Sequence, residues 1–146
     1  MNIIRAVIIA FVVLEATNVI ALYFFPDSKL ANSVGVFKAW EKSKIDPEAH
    51  DFAKYLVNWI AGTKLIFILL LIVILLIADD RTLIFASFAL AIAIASFFWR
   101  LFPLIRRMDR NDQVDPNGYS AILGWMILAF VIVFLAAAFL ASSGLV

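Results

Sequence analysis

Tyr55–Ala78 reads YLVNWIAGTKLIFILLLIVILLIA, 24 residues of near-continuous apolar sequence with one lysine, Lys64, near its middle. At ~1.5 Å of rise per residue, a helix of this length crosses the ~30 Å hydrocarbon core of a bilayer. Three further runs have the same character: Ala6–Phe25, Leu83–Phe102 and Ala121–Ala141. Hydrophobic residues make up 65% of the chain and the mean hydropathy is +1.03, whereas soluble domains are about 45–50% apolar.

The four runs leave too little chain for a separate soluble domain. They predict an all-α integral membrane protein, a single domain over residues 1–146 with spans at about 6–25, 55–78, 83–102 and 121–141, arranged as an up-down-up-down four-helix bundle. A β-barrel would carry short segments of alternating polarity instead of solid apolar runs. Met1–Leu14 has the charge and short apolar core of a signal peptide, but the run continues to Phe25 and is expected to be a retained first span.

Several chemistries find no residues to carry them. The chain has no cysteine, and hence no disulfide, thiolate nucleophile or thiolate-bound metal. Its one histidine, His50, sits among charged residues outside the runs, so a site built from several histidines of one chain is excluded. No cofactor is expected. The net charge of +1 gives no reason to expect nucleic acid as a partner.

The connectors are more informative. After the first run, Phe24-Phe25-Pro26-Asp27 stops the helix. Leu30, Val34, Phe37 and Trp40 then recur at helical spacing, with Lys38, Lys42 and Lys44 elsewhere, the pattern of a short amphipathic helix lying on the membrane surface. Asp46-Pro47-Glu48 reads as a helix start, with an Asp cap, a proline at the first position and a carboxylate at the positive helix end. Nothing interrupts the helix from there to Ala78. The tight connection Asp79–Thr82 predicts that spans 2 and 3 are antiparallel neighbours.

On span 3, Ala86, Ala89, Ala93, Ser96 and Arg100 form one narrow face of small residues, the means by which membrane helices approach closely. Span 3 is therefore expected to be central, with a kink at Pro103. Span 4, almost free of polar residues, is expected to face lipid. Connectors 26–54 and 103–118 carry eight lysines and arginines against Arg5 and Arg81 on the other side. By that bias both connectors are cytoplasmic and both termini outside, in what is expected to be a prokaryotic plasma membrane.

Glu15 lies ten residues from the end of the first run, and Lys64 about as far into the second. Each charge at a helix centre costs on the order of 2.5–3.5 kcal/mol. A pair at matched depth on antiparallel helices offsets much of that cost. Asn18 is one turn from Glu15, Asn58 lies on span 2 nearer the cytoplasm, and Arg100 either reaches toward Glu15 and Asn18 or snorkels outward.

Glu15, Asn18, Asn58, Lys64 and Arg100 are thus the residues expected to line a polar cavity or ion relay. The leading functional expectation is a channel or transporter subunit, working as a homo-oligomer or with a larger membrane-protein partner. An accessory or assembly protein, in which the charged pair only fixes packing, is the alternative. A membrane-embedded enzyme or a binder of a lipid-like molecule is the second alternative. No nucleophile–base or metal motif supports catalysis.

Overall fold

A computed structural model describes residues 3–143 and is all-helical, without a strand among them. The helices are α1 (Ile3–Phe24), α2 (Lys38–Ser43), α3 (Pro47–Ile77), α4 (Asp80–Ala95), α5 (Phe97–Arg110) and α6 (Tyr119–Ser142), with a 3₁₀ turn at Val34–Val36. Four stretches are long and apolar enough to cross a membrane: α1, α3, α4 with α5 as one unit, and α6.

Local chemistry sets the boundaries. The Asp46 carboxylate accepts from the amides of Glu48 and Ala49 at 3.1 and 3.4 Å, and Pro47 occupies the first helical position, where it has no bond to lose. Asp79 caps α4 through the amide of Thr82, 2.8 Å away. The break between α4 and α5 falls at Ser96, and not at Pro103, which lies inside α5. Pro103 cannot donate to the carbonyl of residue 99. The chain tightens one turn earlier, where the Trp99 amide bonds the Ser96 carbonyl at 3.1 Å and the Ser96 hydroxyl bonds that of Ala93 at 2.6 Å.

Helix packing differs from the expectation in three respects. First, α3 and α4 share a tight connection but little lateral contact: α3 packs on α1, while α4 packs on α6. A short connection fixes the ends of two helices together without fixing their sides. Second, α1 is the most buried of the long helices and α3 the least, so α1, touching α3, α4 and α6, takes the central place expected of span 3. Third, α6 is not turned wholly outward. Phe134, Ala137 and Ala138 are buried, and the small residues let α6 lie close against α4. The Ala89, Ala93, Ser96 and Arg100 positions face outward; α4 uses Leu83, Ser87, Leu90 and Ala91 instead.

The main core lies in the half that holds the start of α1 and the end of α3. Ile4, Ile8, Phe11 and Val12 of α1 meet Ile68, Leu71, Leu83, Leu90 and Phe134 there. Phe11 stands edge-on to Phe67, Phe130 and Phe134, with centroids 6.2, 5.3 and 5.3 Å away. Each such pair adds about 0.5–1.5 kcal/mol to burial. At the same end, Arg5 donates to the carbonyls of Leu75 and Ala78 at 2.6 and 2.8 Å, closing the C-terminus of α3 with a cation where the helix dipole is negative.

At the opposite end the two long connectors fold on each other. Phe37 and Val114 form an antiparallel bridge, with bonds from Lys38 N to Gln113 O (3.0 Å) and from Asp115 N to Val36 O (2.8 Å). Lys38–Asp112, at 2.8 Å, and Lys29–Asp115 add ion pairs. The amphipathic segment is shorter than its period suggests, and its tryptophan is covered by protein. Its helix is only the six residues of α2, Leu30 is outside it and exposed, and Trp40 is 3% exposed, packed with Leu22, Val57 and Ala61. The Trp40 indole donates to Asp27, and its ring lies 4.8 Å from that of His50 of α3, tilted by 51°. A tryptophan buried in protein needs that partner for its N–H. Gly35 is required here: a Cβ would come within 2.2 Å of the Asp27 carbonyl oxygen.

Candidate functional site: a polar cluster at the end of an apolar cavity

Asn18 sits six residues before the end of α1, on the face turned to α3. Four residues per turn and a bit less place Glu15 and Asn18 on one side of the helix, and Lys64 of α3 spans both. Its ammonium donates to Glu15 Oε2 and to Asn18 Oδ1, each at 2.7 Å. Lys64 and Glu15 are partly accessible, with side chains 29% and 24% exposed, whereas Asn18 is buried.

The cluster continues into the connector. Asn18 Nδ2 donates to the carbonyls of Ala31 and Asn32, the latter at 3.0 Å, and Asn32 Oδ1 accepts from the Tyr119 hydroxyl. Ala31 and Asn32 both have left-handed backbones, at φ 52° and 54°. That conformation costs a residue with a Cβ roughly 1–2 kcal/mol. It turns two successive carbonyls onto one amide, and Ser33, 1% exposed, holds the loop by donating toward the Phe25 and Pro26 carbonyls at 3.2 Å. Irregular backbone is thus folded back beside the last two turns of α1, with the carbonyls of Ala31 and Asn32 paired to Asn18.

Above this polar floor lies a cavity of about 390 Å³. Asn18, Asn32 and Lys64 mark its polar end. Val57 and Ile60 of α3 form one wall, Leu101, Leu104, Ile105 and Met108 of α5 another, and Leu123 and Ile127 of α6 the back. No extensive contact joins α3 to α5, and Ile60, Leu101 and Leu104 are 51%, 58% and 43% exposed. The cavity therefore opens sideways between these two helices.

Of the residues singled out from sequence, Glu15, Asn18 and Lys64 come together. Glu15 stands behind the lysine and is not among the cavity-lining residues. Asn58 and Arg100 do not join them. Asn58 is exposed, and Arg100 is exposed with its guanidinium 5.5 Å from the Trp99 ring. One residue of separation from Val57 turns Asn58 by about 100° to the outer face. Asn32 and Tyr119, not among the site residues expected from sequence, complete the cluster. Among the described residues no three His, Cys, Asp or Glu side chains gather as a metal site would need. Comparison with known proteins finds no matching protein family, curated protein or solved structure.

Proposed function

We propose that this protein is a four-span membrane protein that binds a lipid-like molecule in the cavity between α3 and α5. The observation that carries the reading is the cavity's make-up: apolar walls, one polar end, and a mouth on the side of the helix assembly, where a bilayer would meet it. A volume of about 390 Å³ falls in the ~300–1,000 Å³ range of small-molecule sites, which pair apolar walls with a few placed polar groups. Lys64 has three N–H groups; Glu15 and Asn18 engage two, and the third is left for an acceptor on the ligand. Because Glu15 balances the ammonium, the favoured ligand is a neutral amphiphile with a carbonyl or ether oxygen at its head.

The test uses purified full-length protein in neutral detergent and a dansyl-labelled single-chain ester. Leu104→Trp fills the cavity and abolishes saturable binding, while Lys64→Met weakens it and leaves the capacity unchanged. Identical binding curves for wild type and Leu104→Trp would overturn the proposal. A transporter or channel subunit is the second reading, favoured by the hydrogen-bonded series from Glu15 through Lys64 and Asn18 to the Asn32 carbonyl. Proton or ion flux in liposomes that disappears in Glu15→Gln supports that reading over the first.

A further inference from the structure

The last turns of α5 carry three arginines whose acidic neighbours are all committed elsewhere. The connector after α5 supplies Asp109, Asp112 and Asp115. Asp109 acts as a remote cap for α6, accepting from Gly118 N at 2.9 Å, Ser120 N at 3.0 Å and Ser120 Oγ at 2.6 Å. Asp112 pairs with Lys38 at 2.8 Å, and Asp115 pairs with Lys29. Arg106, Arg107 and Arg110 are exposed and take part in no ion pair among the described residues. Spacings of three and four put them within one helical turn of each other, where like charges repel.

The surface beside these arginines is shaped. A recess of about 520 Å³ is lined by all three, with Phe102, Pro103 and Asn111. A second, of about 340 Å³, runs between α5 and α6 past Phe98, Trp125 and Leu128. Phe102 and Arg106 belong to both, so a basic recess passes directly into an apolar groove. Gly124 makes the junction possible: a Cβ there would stand 2.7 Å from the Phe102 ring. Trp125 is 72% exposed at the groove, the position at which an indole anchors in the interfacial zone of a bilayer.

We infer that this face is a binding site for an anionic phospholipid, with the phosphate of the headgroup among Arg106, Arg107 and Arg110 and an acyl chain along the α5–α6 groove. Guanidinium groups bind phosphate oxygens in pairs of parallel hydrogen bonds, which a single anion bridging several arginines exploits. The adjoining apolar groove selects a lipid over a free anion. The inference rests on the bilayer-spanning reading but not on any occupant of the α3–α5 cavity, which shares no lining residue with either recess.

The experiment titrates full-length protein in a neutral maltoside with dioleoyl phosphatidylglycerol or dioleoyl phosphatidylcholine and counts retained lipids by native mass spectrometry. Wild type retains phosphatidylglycerol in preference. At about five-fold per arginine near an anionic surface, the double substitution Arg106→Gln with Arg110→Gln lowers that preference about 25-fold. Replacing the same two residues with lysine, which keeps the charge but loses the paired bonds, restores only part of it, and Arg81→Gln, at the other end of the helices, leaves it unchanged. Equal retention of the two lipids by wild type, or a preference untouched by the double glutamine variant, overturns the assignment. Displacement of the lipid by millimolar inorganic phosphate alone would also overturn it, since the site would then be one for a free anion.

Discussion

Asn18→Ala is the most incisive perturbation of the polar cluster. The side chain makes three hydrogen bonds: it accepts from Lys64 at 2.7 Å and donates to the carbonyls of Ala31 and Asn32. A bond to a charged group contributes about 1.5–3 kcal/mol and a neutral one about 1, so the substitution should cost roughly 3–5 kcal/mol. Most of this arises because the two carbonyls and the ammonium lose a buried partner, not because a contact area shrinks. The cost should also be local, since this amide bonds both carbonyls of the left-handed pair Ala31–Asn32. Asn18→Asp separates the two functions: it keeps an acceptor for Lys64 but turns a donor into an acceptor facing two carbonyls, and should be at least as damaging. Detergent-denaturation equilibria give the total, and amide hydrogen exchange over residues 28–36 gives its location. A loss below about 1 kcal/mol, or unchanged exchange in that segment, would refute the assignment of Asn18 as the tie between α1, α3 and the connector.

Arg5→Met should destabilise the protein by about 1–3 kcal/mol, discounted for partial exposure, and should fray the last turn of α3 in hydrogen exchange. Asp80→Asn should change little, because that pair is 3.7 Å apart with the aspartate 67% exposed, and such surface pairs contribute about 0–1 kcal/mol. The connector should open in acid. Lys44, and then the Trp40 indole, hold the Asp27 carboxyl below its usual 3.8. A lowered folded value means the stabilisation is present above pH 3.8 and is lost as pH falls through the lower value. Fluorescence of a variant retaining only Trp40 should report this acid transition, and Asp27→Asn should weaken Trp40 docking already at neutral pH. A transition identical with and without Asp27 would remove this carboxylate from the account.

How far the chain could be read in advance follows from what kind of signal each feature leaves. The four apolar stretches were legible because solid runs of that length have few other uses, and the start of α3 was legible because Asp46-Pro47-Glu48 is cap chemistry with a mechanism. The meeting of Glu15 and Lys64 was legible as matched depth along antiparallel helices. Lateral partners were not. Counting small residues on α4 ranked the wrong face, since Leu83, Ser87, Leu90 and Ala91 make the contact and shape complementarity leaves no periodic mark. The packing of the connector left no mark for a different reason. An amphipathic period records that one face is apolar, without recording whether lipid or protein covers it, and here Val57 and Ala61 of α3 cover Trp40. The left-handed turn at Ala31–Asn32 carried half a signal, because asparagine favours that conformation and alanine does not.

The way α3 is attached explains why a cavity exists at all. It is the least buried of the long helices, and it leans on α1 instead of filling the space beside α5. The largest apolar cluster lies in the half around Phe11, Ile68 and Leu71, with smaller ones around Trp40 and around Ile105 in the other half. In the other half, polar contacts take over at successive levels: Lys64 on Glu15 and Asn18, then Trp40 and Ser43 against His50, with Ser43 Oγ 2.9 Å from His50 Nδ1. Directional bonds of this kind hold a helix at a fixed separation without requiring that the neighbouring volume be filled, as apolar packing would. The charged pair thereby acts as a spacer as well as a tie. Replacing Glu15 and Lys64 with apolar residues of similar volume need not unfold the protein, but it would strip the cavity of its charged end while leaving the apolar walls of α3, α5 and α6 in place.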